Sequence, residues 1–199
     1  MGCPPMNEKR ENEEVIERLA DVLDSLGLRY TIGGSVASAL YGTVRFTRDA
    51  DITVQPFSSV ADRLYELLKE EFYVSREAME EALRSYGSFN VIHFETAFKI
   101  DLFIQGPSAF EGRLLDRRRM LRLSEMSHRD VSVVSPEDII LLKLRWFNMT
   151  GGTSERQWND VLGVLGVQGK ALDFEYLIAS AKELGLEELL SRARAEADA

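Results

Sequence analysis

The sequence contains very few of the residues from which disulfides and zinc sites are built. Its 199 residues include one cysteine, Cys3, and two histidines, His93 and His128. One cysteine cannot form an intrachain disulfide, and two histidines far apart in the chain do not make a Cys/His cluster. The composition therefore excludes a disulfide-stapled domain and argues against a zinc site.

Long apolar runs are also missing. The longest, such as residues 139–142, are only four to six residues long, whereas a membrane-spanning helix needs about 20. The first ten residues contain no apolar segment of the kind that secretory signals carry. We therefore expect a cytoplasmic protein with no membrane span.

The composition is typical of a folded, acidic protein. Hydrophobic residues make up 45% of the chain and charged residues 29%, which favours a packed core and excludes disorder. The 24 basic and 33 acidic residues give a net charge of -9, so the molecule repels polyanions such as DNA. Any contact with nucleic acid must be local.

Hydrophobic periodicity predicts alternating helices and strands up to residue 134. The predicted helices are 11–26, 35–40, one that starts at 58 or 59, and 76–85. The predicted strands are 28–32, 51–54 (or 49–54 if the strand begins at Asp49), 89–94, 97–104 and 131–134. Only two residues separate the third and fourth strands, which favours an antiparallel hairpin.

The pattern changes at Ser135-Pro136, where a serine cap and a proline in the first turn mark a helix start. Four helices are predicted beyond it, at 136–148, 154–165, 173–184 and 186–195. These elements predict an α/β (α+β) fold with a mixed β-sheet core flanked by helices. The expected domain ranges are an N-terminal helix at 1–27, the core at 28–134 and a C-terminal helical domain at 135–199.

A glycine turn follows the first predicted strand. Gly33 and Gly34 let the backbone approach a ligand closely, and the helix that begins at Ser35 directs N–H groups toward an anion. Such a turn can hold a phosphate. The alternative is an ordinary tight turn, because glycines commonly occupy turns.

Three aspartates form the second candidate feature. Asp49 and Asp51 are two residues apart on a predicted strand, so both carboxylates share one face. Asp101 lies on another predicted strand, and if the two strands are neighbours, all three acids meet and can hold a pair of magnesium ions. The alternatives are solvated acids at a strand end and an ion pair of Asp101 with Lys99 or an arginine.

This combination resembles the motifs of the DNA polymerase β-like nucleotidyltransferase superfamily. The first motif of the superfamily resembles the set Gly34-Ser35, Tyr41, Arg45, Thr47, Asp49 and Asp51 in this chain. The third carboxylate of the superfamily resembles Asp101. Within the superfamily, the chain is most similar to nucleotidyltransferase toxins of abortive-infection type toxin–antitoxin modules. Their helical motifs match Lys143 and the pair Arg156 and Asp160.

The resemblance covers residues 28–165 and departs from the toxins at Asn159, where they usually carry a lysine. It implies that Asp49 and Asp51 ligate Mg²⁺, with Mn²⁺ as a substitute, and that Asp101 completes the metal site and acts as a base. It further implies nucleotide-binding roles for Gly33, Gly34, Ser35, Arg45, Thr47 and Lys143.

The implied reaction is transfer of a nucleoside monophosphate from an NTP to an acceptor, with release of pyrophosphate. The acceptor stays open among a tRNA 3′ end, a protein hydroxyl and a small antibiotic hydroxyl, because loops that recognise acceptors have no transferable motif. A toxin of this kind would also bind an antitoxin protein.

Several of these residues also have simpler interpretations. Lys143 lies among apolar helical neighbours and can be a snorkelling lysine, while Arg156 and Asp160 have the spacing of a surface ion pair. Arg45 and Arg48 reach phosphates or balance the charges of Asp49 and Asp51. Large aromatic and imidazole side chains are expected in the core, at Tyr41, His93, Trp146, Phe147 and Trp158.

One segment is basic in this acidic chain. Residues 113–130 include six arginines and three acids, a net charge of +3. Such a strip is either an ordinary solvated face or a local contact for RNA or for the acceptor's phosphates.

Two other functions compete with the transferase. Asp49-Ala50-Asp51-Ile52-Thr53 also matches the motif of haloacid dehalogenase-like phosphatases, in which the first aspartate is a nucleophile. That motif normally follows a hydrophobic strand, whereas residues 44–48 are charged. The second alternative is a non-catalytic scaffold that binds a nucleotide or a partner protein.

Overall fold

The structure is a computed structural model that describes residues 6–197, so Cys3 lies outside the described residues. Two short 3-10 turns, Ser58–Val60 and Gly169–Ala171, supplement the helices. The helices of the described chain are α1 Met6–Ser25, α2 Gly34–Tyr41, α3 Ala61–Leu68, α4 Arg76–Ser85, α5 Ala109–Asp116, α6 Pro136–Met149, α7 Glu155–Gln168, α8 Phe174–Glu183 and α9 Glu187–Ala197.

The strands of the described residues form one mixed sheet. They are β1 Tyr30–Ile32, β2 Asp49–Val54, β3 Phe72–Val74, β4 Ser88–His93, β5 Lys99–Ile104, β6 Arg119–Leu121 and β7 Val131–Val133. Their order across the sheet is β3-β4-β5-β2-β1-β7-β6. The β2–β5 and β1–β7 pairs are parallel and the others antiparallel.

The chain divides into two compact units. The first unit, Met1–Ile32 with Phe46–Val133, contains the whole sheet and α1, α3, α4 and α5. The second unit, Gly33–Arg45 with Val134–Ala199, contains α2 and α6 to α9. The domain ranges expected from the sequence stay a prediction.

Side chains of the central strands alternate between a buried and a half-buried face. In β2, Ala50, Ile52 and Val54 are fully buried, and in β5, Ile100 and Leu102 are too. Burying these aliphatic side chains against the core of the first unit is what stabilises the pairing. The residues between them, which include the three aspartates, lie on the other face.

The mixed fold is confirmed, and the predicted β4–β5 hairpin is antiparallel. The hydrophobic pattern did not predict β3, α5 or β6. Each missed strand has only three residues, too few for an alternation to be read. For α5, a signal was present: the Ser108 hydroxyl accepts a hydrogen bond from the Glu111 N–H, as a serine three residues before a glutamate indicates.

The predicted start of α6 is confirmed. Ser135 caps the helix by accepting from the Asp138 N–H at 3.1 Å, with Pro136 in the first turn. Tyr176 of α8 donates a 2.6 Å hydrogen bond to the Asp138 carboxylate, which ties α8 to this end of α6. Across residues 6–197, no helix combines the length and the apolarity that a bilayer crossing demands.

Candidate active site

Three aspartates share one sheet face in the first unit. The parallel register of β2 and β5 places Asp51 beside Asp101 and Asp49 beside Lys99. Residues in register on adjacent strands point to the same side of a sheet, as do residues two apart on one strand. Asp49, Asp51 and Asp101 therefore form a half-buried row of acids, here called the carboxylate row.

Asp49 at the start of β2 is oriented by a neighbouring hydroxyl. The Thr47 Oγ1 donates a hydrogen bond to Asp49 Oδ1 at 2.8 Å. A threonine two residues before a strand aspartate makes this short-range contact readily. The structure thus places Thr47 as a support for Asp49, and its nucleotide contact stays a prediction.

Asp101 is paired with a lysine of its own strand. Lys99 Nζ lies 2.6 Å from Asp101 Oδ2, so the ion-pair alternative for Asp101 is present in the structure. The hydrogen bond with Asp101 raises the pKa of Lys99, and the charges of Asp49 and Asp51 add to this effect. Lys99 is therefore a protonated ammonium within the carboxylate row.

The chemistry of the row suits one class of metal ion. Its donors are carboxylate oxygens alone, as hard cations such as Mg²⁺ prefer, without the nitrogen or sulfur that zinc favours. Across the described residues, no three His, Cys, Asp or Glu side chains stand close enough together to hold a metal ion as they are placed. The row matches such a cation in its donor atoms and in their shared face, and in the present arrangement Asp101 is engaged by Lys99.

The glycine turn belongs to the second unit. Gly33 precedes α2, and Gly34 takes a positive φ of 55° that an L side chain rarely adopts. No side chain caps this end of α2. The cap residue therefore offers no side-chain acceptor to the N–H groups in the first turn of α2. A turn that binds phosphate through these N–H groups must leave them available in this way.

The hydroxyl of Ser35 is a meeting point for two arginines. Arg156 donates to Ser35 Oγ at 2.7 Å, and Arg45 donates to the same oxygen. Ser35 itself is only 4% exposed. Arg156 was matched to a family motif by sequence, but its contact with Ser35 had no signal in the spacing.

Asp160 of α7 holds two cations. Its carboxylate accepts two 2.9 Å hydrogen bonds from Arg45 and lies 2.8 Å from Lys143 Nζ. Burial opposes ionisation of Asp160, but the hydrogen bonds from Arg45 and Lys143, together with their charges, keep its pKa below the ordinary value. The Asp160 and Lys143 side chains are 7% and 5% exposed.

Three cations and one carboxylate thus form a cluster in the second unit, here called the basic cluster. It consists of Arg45, Lys143, Arg156 and Asp160 around Ser35. The single carboxylate leaves a formal excess of two positive charges. Such an excess beside an uncapped helix start attracts a polyanion such as a triphosphate.

Close backbone packing brings Arg45 to α7. A Cβ added to Gly42 would stand 2.7 Å from the Val164 backbone nitrogen, and one added to Gly163 would stand 3.0 Å from the Thr43 hydroxyl. Gln168 also donates a 2.7 Å hydrogen bond to the Tyr41 carbonyl. The missing side chains let the segment after α2 lie directly on α7.

Three of the simpler interpretations are wrong. Lys143 does not snorkel, because its buried ammonium pairs with Asp160. Asp160 is a buried partner of Arg45 and Lys143 rather than half of a surface pair with Arg156. Trp146 is 49% exposed and is not a core residue, whereas Phe147 and Trp158 are buried and contact each other.

The basic strip at 113–130 is partly structural. Arg129 donates to the carboxylates of Asp21 and Asp24 on α1, and Arg118 donates to the Leu115 carbonyl. These arginines fasten the segment to its own unit. The idea that the strip contacts RNA stays a prediction.

Comparison with known proteins supports the fold through structure alone. No protein-family model matches the chain, and no curated protein matches it in sequence. The antibiotic-resistance factor ANT(2'')-Ia in solution superposes with a TM-score of 0.60 and 16% identity, over 92% of this chain and 99% of that one. Its crystal structure in complex with adenylyl-2''-tobramycin gives 0.60 and 16%, over 87% and 98%.

A second solved protein is also similar. An antigenic nucleotidyltransferase-like protein from Paracoccidioides brasiliensis superposes with a TM-score of 0.57 and 18% identity, over 94% of this chain and 93% of that one. These likenesses confirm the nucleotidyltransferase fold that the sequence motifs implied. The similarity to toxins stays a prediction.

Proposed function

We propose that this chain is a magnesium-dependent nucleotidyltransferase that moves a nucleoside monophosphate from an NTP to an acceptor hydroxyl or phosphate. The carboxylate row carries the proposal: Asp51 and Asp101 are in register on parallel strands, with Asp49 on the same face. The nucleotidyltransferase fold supports it independently.

Asp49, Asp51 and Asp101 would hold Mg²⁺, or Mn²⁺, which prefers the same oxygen ligands. Held by these three carboxylates, such a cation would supply positive charge to offset the charge of the phosphates. Thr47 keeps the Asp49 carboxylate oriented through its 2.8 Å hydrogen bond. An oriented ligand binds a cation without first losing rotamer freedom.

The residues of the second unit would bind the triphosphate. Gly33 and Gly34 offer close backbone approach at the start of α2, whose first turn has no side-chain cap and includes Ser35. Arg45 and Lys143 supply positive charge, which Asp160 holds in place. The formal excess of two positive charges in the basic cluster favours a polyanionic ligand.

In the proposed reaction, an acceptor oxygen forms a bond to the α-phosphorus, and the bond from that phosphorus to the β-phosphate oxygen breaks. Pyrophosphate leaves with the electron pair of the broken bond. The proton of an acceptor hydroxyl passes to the Asp101 carboxylate, the base that the resemblance implies, and then to solvent.

Three acceptor classes remain, and the net charge of the protein favours some of them over others. The net charge of -9 attracts polycationic antibiotics such as the aminoglycosides and repels tRNA outside the basic strip. A tRNA 3′ end or a protein hydroxyl would fit the toxin-like motifs, in which case an antitoxin is the expected protein partner. Each acceptor is one arm of the test below.

The competing functions make different predictions. A haloacid dehalogenase-like phosphatase would form a phosphoaspartate on Asp49, but Asp49 is the first residue of β2 rather than the end of a hydrophobic strand. A non-catalytic scaffold would bind a nucleotide or a partner without releasing pyrophosphate.

The test begins with thermal-shift titrations of each NTP, with and without Mg²⁺, followed by transfer from α-labelled NTP to tRNA, protein and antibiotic panels. The wild type is compared with Asp51→Asn and with Asp116→Asn, a surface aspartate of the same unit that pairs with Arg29. A Mg²⁺-dependent shift and labelled acceptor, lost only in Asp51→Asn, support the proposal. Nucleotide binding without transfer to any acceptor favours the scaffold.

A further inference from the structure

Lys99 stands inside the carboxylate row rather than beside it. It is in register with Asp49 on the neighbouring strand and two residues from Asp101 on its own strand. All three side chains consequently share one face of the sheet. Its ammonium contacts Asp101 Oδ2 at 2.6 Å.

The row needs a cation for electrostatic reasons. Like charges on adjacent strand positions are destabilising, and Asp51 is in register with Asp101. Thr47 gives Asp49 a neutral hydrogen bond that does not offset its charge. Lys99 brings one positive charge to three carboxylates, so these four side chains together carry a formal charge of -2.

A metal ion and Lys99 compete for the same place. Mg²⁺ binds carboxylate oxygens at about 2.0–2.1 Å, and Nζ of Lys99 already approaches an Asp101 oxygen. A dication at that oxygen would repel the ammonium strongly at this short distance. The Lys99 side chain is 42% exposed on a flexible stem, so it can turn toward solvent at little cost.

We infer that Lys99 is a built-in counter-ion of the carboxylate row, which a divalent cation displaces from Asp101 when it binds. The inference rests on the proposed function in one respect, that the row binds such a cation. Lys99 then stabilises the metal-free protein and weakens its affinity for metal. These two effects have opposite signs, and a lysine with a purely structural role would not raise metal affinity when removed.

The test is a Mn²⁺ titration of the full chain without nucleotide, in which the EPR signal of free Mn²⁺ reports binding. Lys99→Met removes the charge, Lys99→Arg keeps it, and Lys69→Met removes a lysine of a surface pair with Glu66 in the same unit. We expect Lys99→Met to bind Mn²⁺ about tenfold more tightly, because solvent screens part of the repulsion. Lys99→Arg and Lys69→Met should bind as the wild type does.

Thermal unfolding of the same metal-free variants gives the second readout. Lys99→Met should melt at a lower temperature than the wild type, and saturating Mn²⁺ should raise its melting temperature by more than it raises that of the wild type. Equal or weaker Mn²⁺ binding in Lys99→Met would overturn the inference.

Asp51→Asn separates the two ways of failing. If the wild type binds Mn²⁺ and Asp51→Asn does not, an unchanged affinity in Lys99→Met defeats the inference alone. If neither the wild type nor Lys99→Met binds Mn²⁺, the inference falls together with the metal-dependent part of the proposed function.

Discussion

The carboxylate row and the basic cluster are charge inverses of each other. In the first unit, three aspartates share one ammonium, Lys99. In the second unit, the three cations of the basic cluster accompany one carboxylate, Asp160, which pairs with Arg45 and Lys143. Each group keeps a formal excess of two charges, negative in one unit and positive in the other.

The two groups differ more in burial than in charge number. Lys99 is partly exposed, whereas Asp160 and Lys143 are almost fully buried. Separating a buried ion pair leaves a charge without solvent, but an exposed one is readily replaced by water. We therefore expect the basic cluster to be a permanent part of the fold and the pairing in the carboxylate row to be exchangeable.

The largest effect should come from removing charge from the carboxylate row. Asp51→Asn should lower nucleotidyl transfer at least roughly a hundredfold, because a metal ligand is lost, while the fold survives the near-isosteric change. Initial rates with labelled NTP measure the loss, and circular dichroism checks the fold. Transfer at the wild-type rate would show that the row is not the reaction site.

Removing the counter-ion of the basic cluster should act on stability. Asp160→Asn leaves Arg45 and Lys143 without their carboxylate, and breaking a buried pair in this way costs about 3 kcal/mol. Urea unfolding measures the change. Glu66→Gln, which removes the surface partner of Lys69, is the control and should cost much less, because solvent screens an exposed pair. An equal loss of stability in Asp160→Asn and Glu66→Gln would contradict the idea that burial makes the Asp160 pairs the stronger ones.

The basic cluster also depends on the contact between Gly42 and α7. Gly42→Ala should destabilise the protein by about 1–3 kcal/mol, because the new methyl group meets backbone atoms that cannot move aside. Gly166→Ala is a matched control, since a Cβ at that position of α7 meets nothing within 4 Å. The control should be neutral or stabilising by about 0.5–1 kcal/mol. Similar losses in both variants would remove the argument from close packing.

The smallest effect should be a difference in acid sensitivity. The pKa of Asp160 is lower in the folded protein than its ordinary value of 3.8, so its stabilising contribution is complete above that value and is lost as the pH falls through the folded pKa. The stability gap between wild type and Asp160→Asn should therefore narrow below about pH 4. Melting temperatures between pH 6 and pH 3 measure it, and a gap that stays constant would contradict the assignment.

Much of the carboxylate row was predictable because its signals are local. Asp49 and Asp51 share a face in any strand, and the apolar neighbours of Asp101 indicate another strand. The register that sets Asp51 beside Asp101 was not predictable. It depends on pairing between distant segments, and a shift of one residue would turn one set of acids to the other face.

The basic cluster was less accessible to sequence reasoning. Arg45 and Asp160 lie on distant segments that meet where Gly42 packs on α7. Within α7, Arg156 lies four residues before Asp160, and this spacing favoured a surface ion pair between them. The structure does not contain that pair among its described residues. Two small residues, Gly42 and Gly163, were the one available hint of a close approach.

The parallel pairing of β2 with β5 also has a consequence for the order of folding. Asp51 and Asp101 are fifty residues apart in the chain, whereas β4 and β5 form a local hairpin. Closing the longer loop costs more entropy, so the hairpin is expected to form before it docks on β2. An unfolded or half-folded chain would then lack the assembled ligand set, and a cation that binds the row would add its binding free energy to the stability of the finished fold.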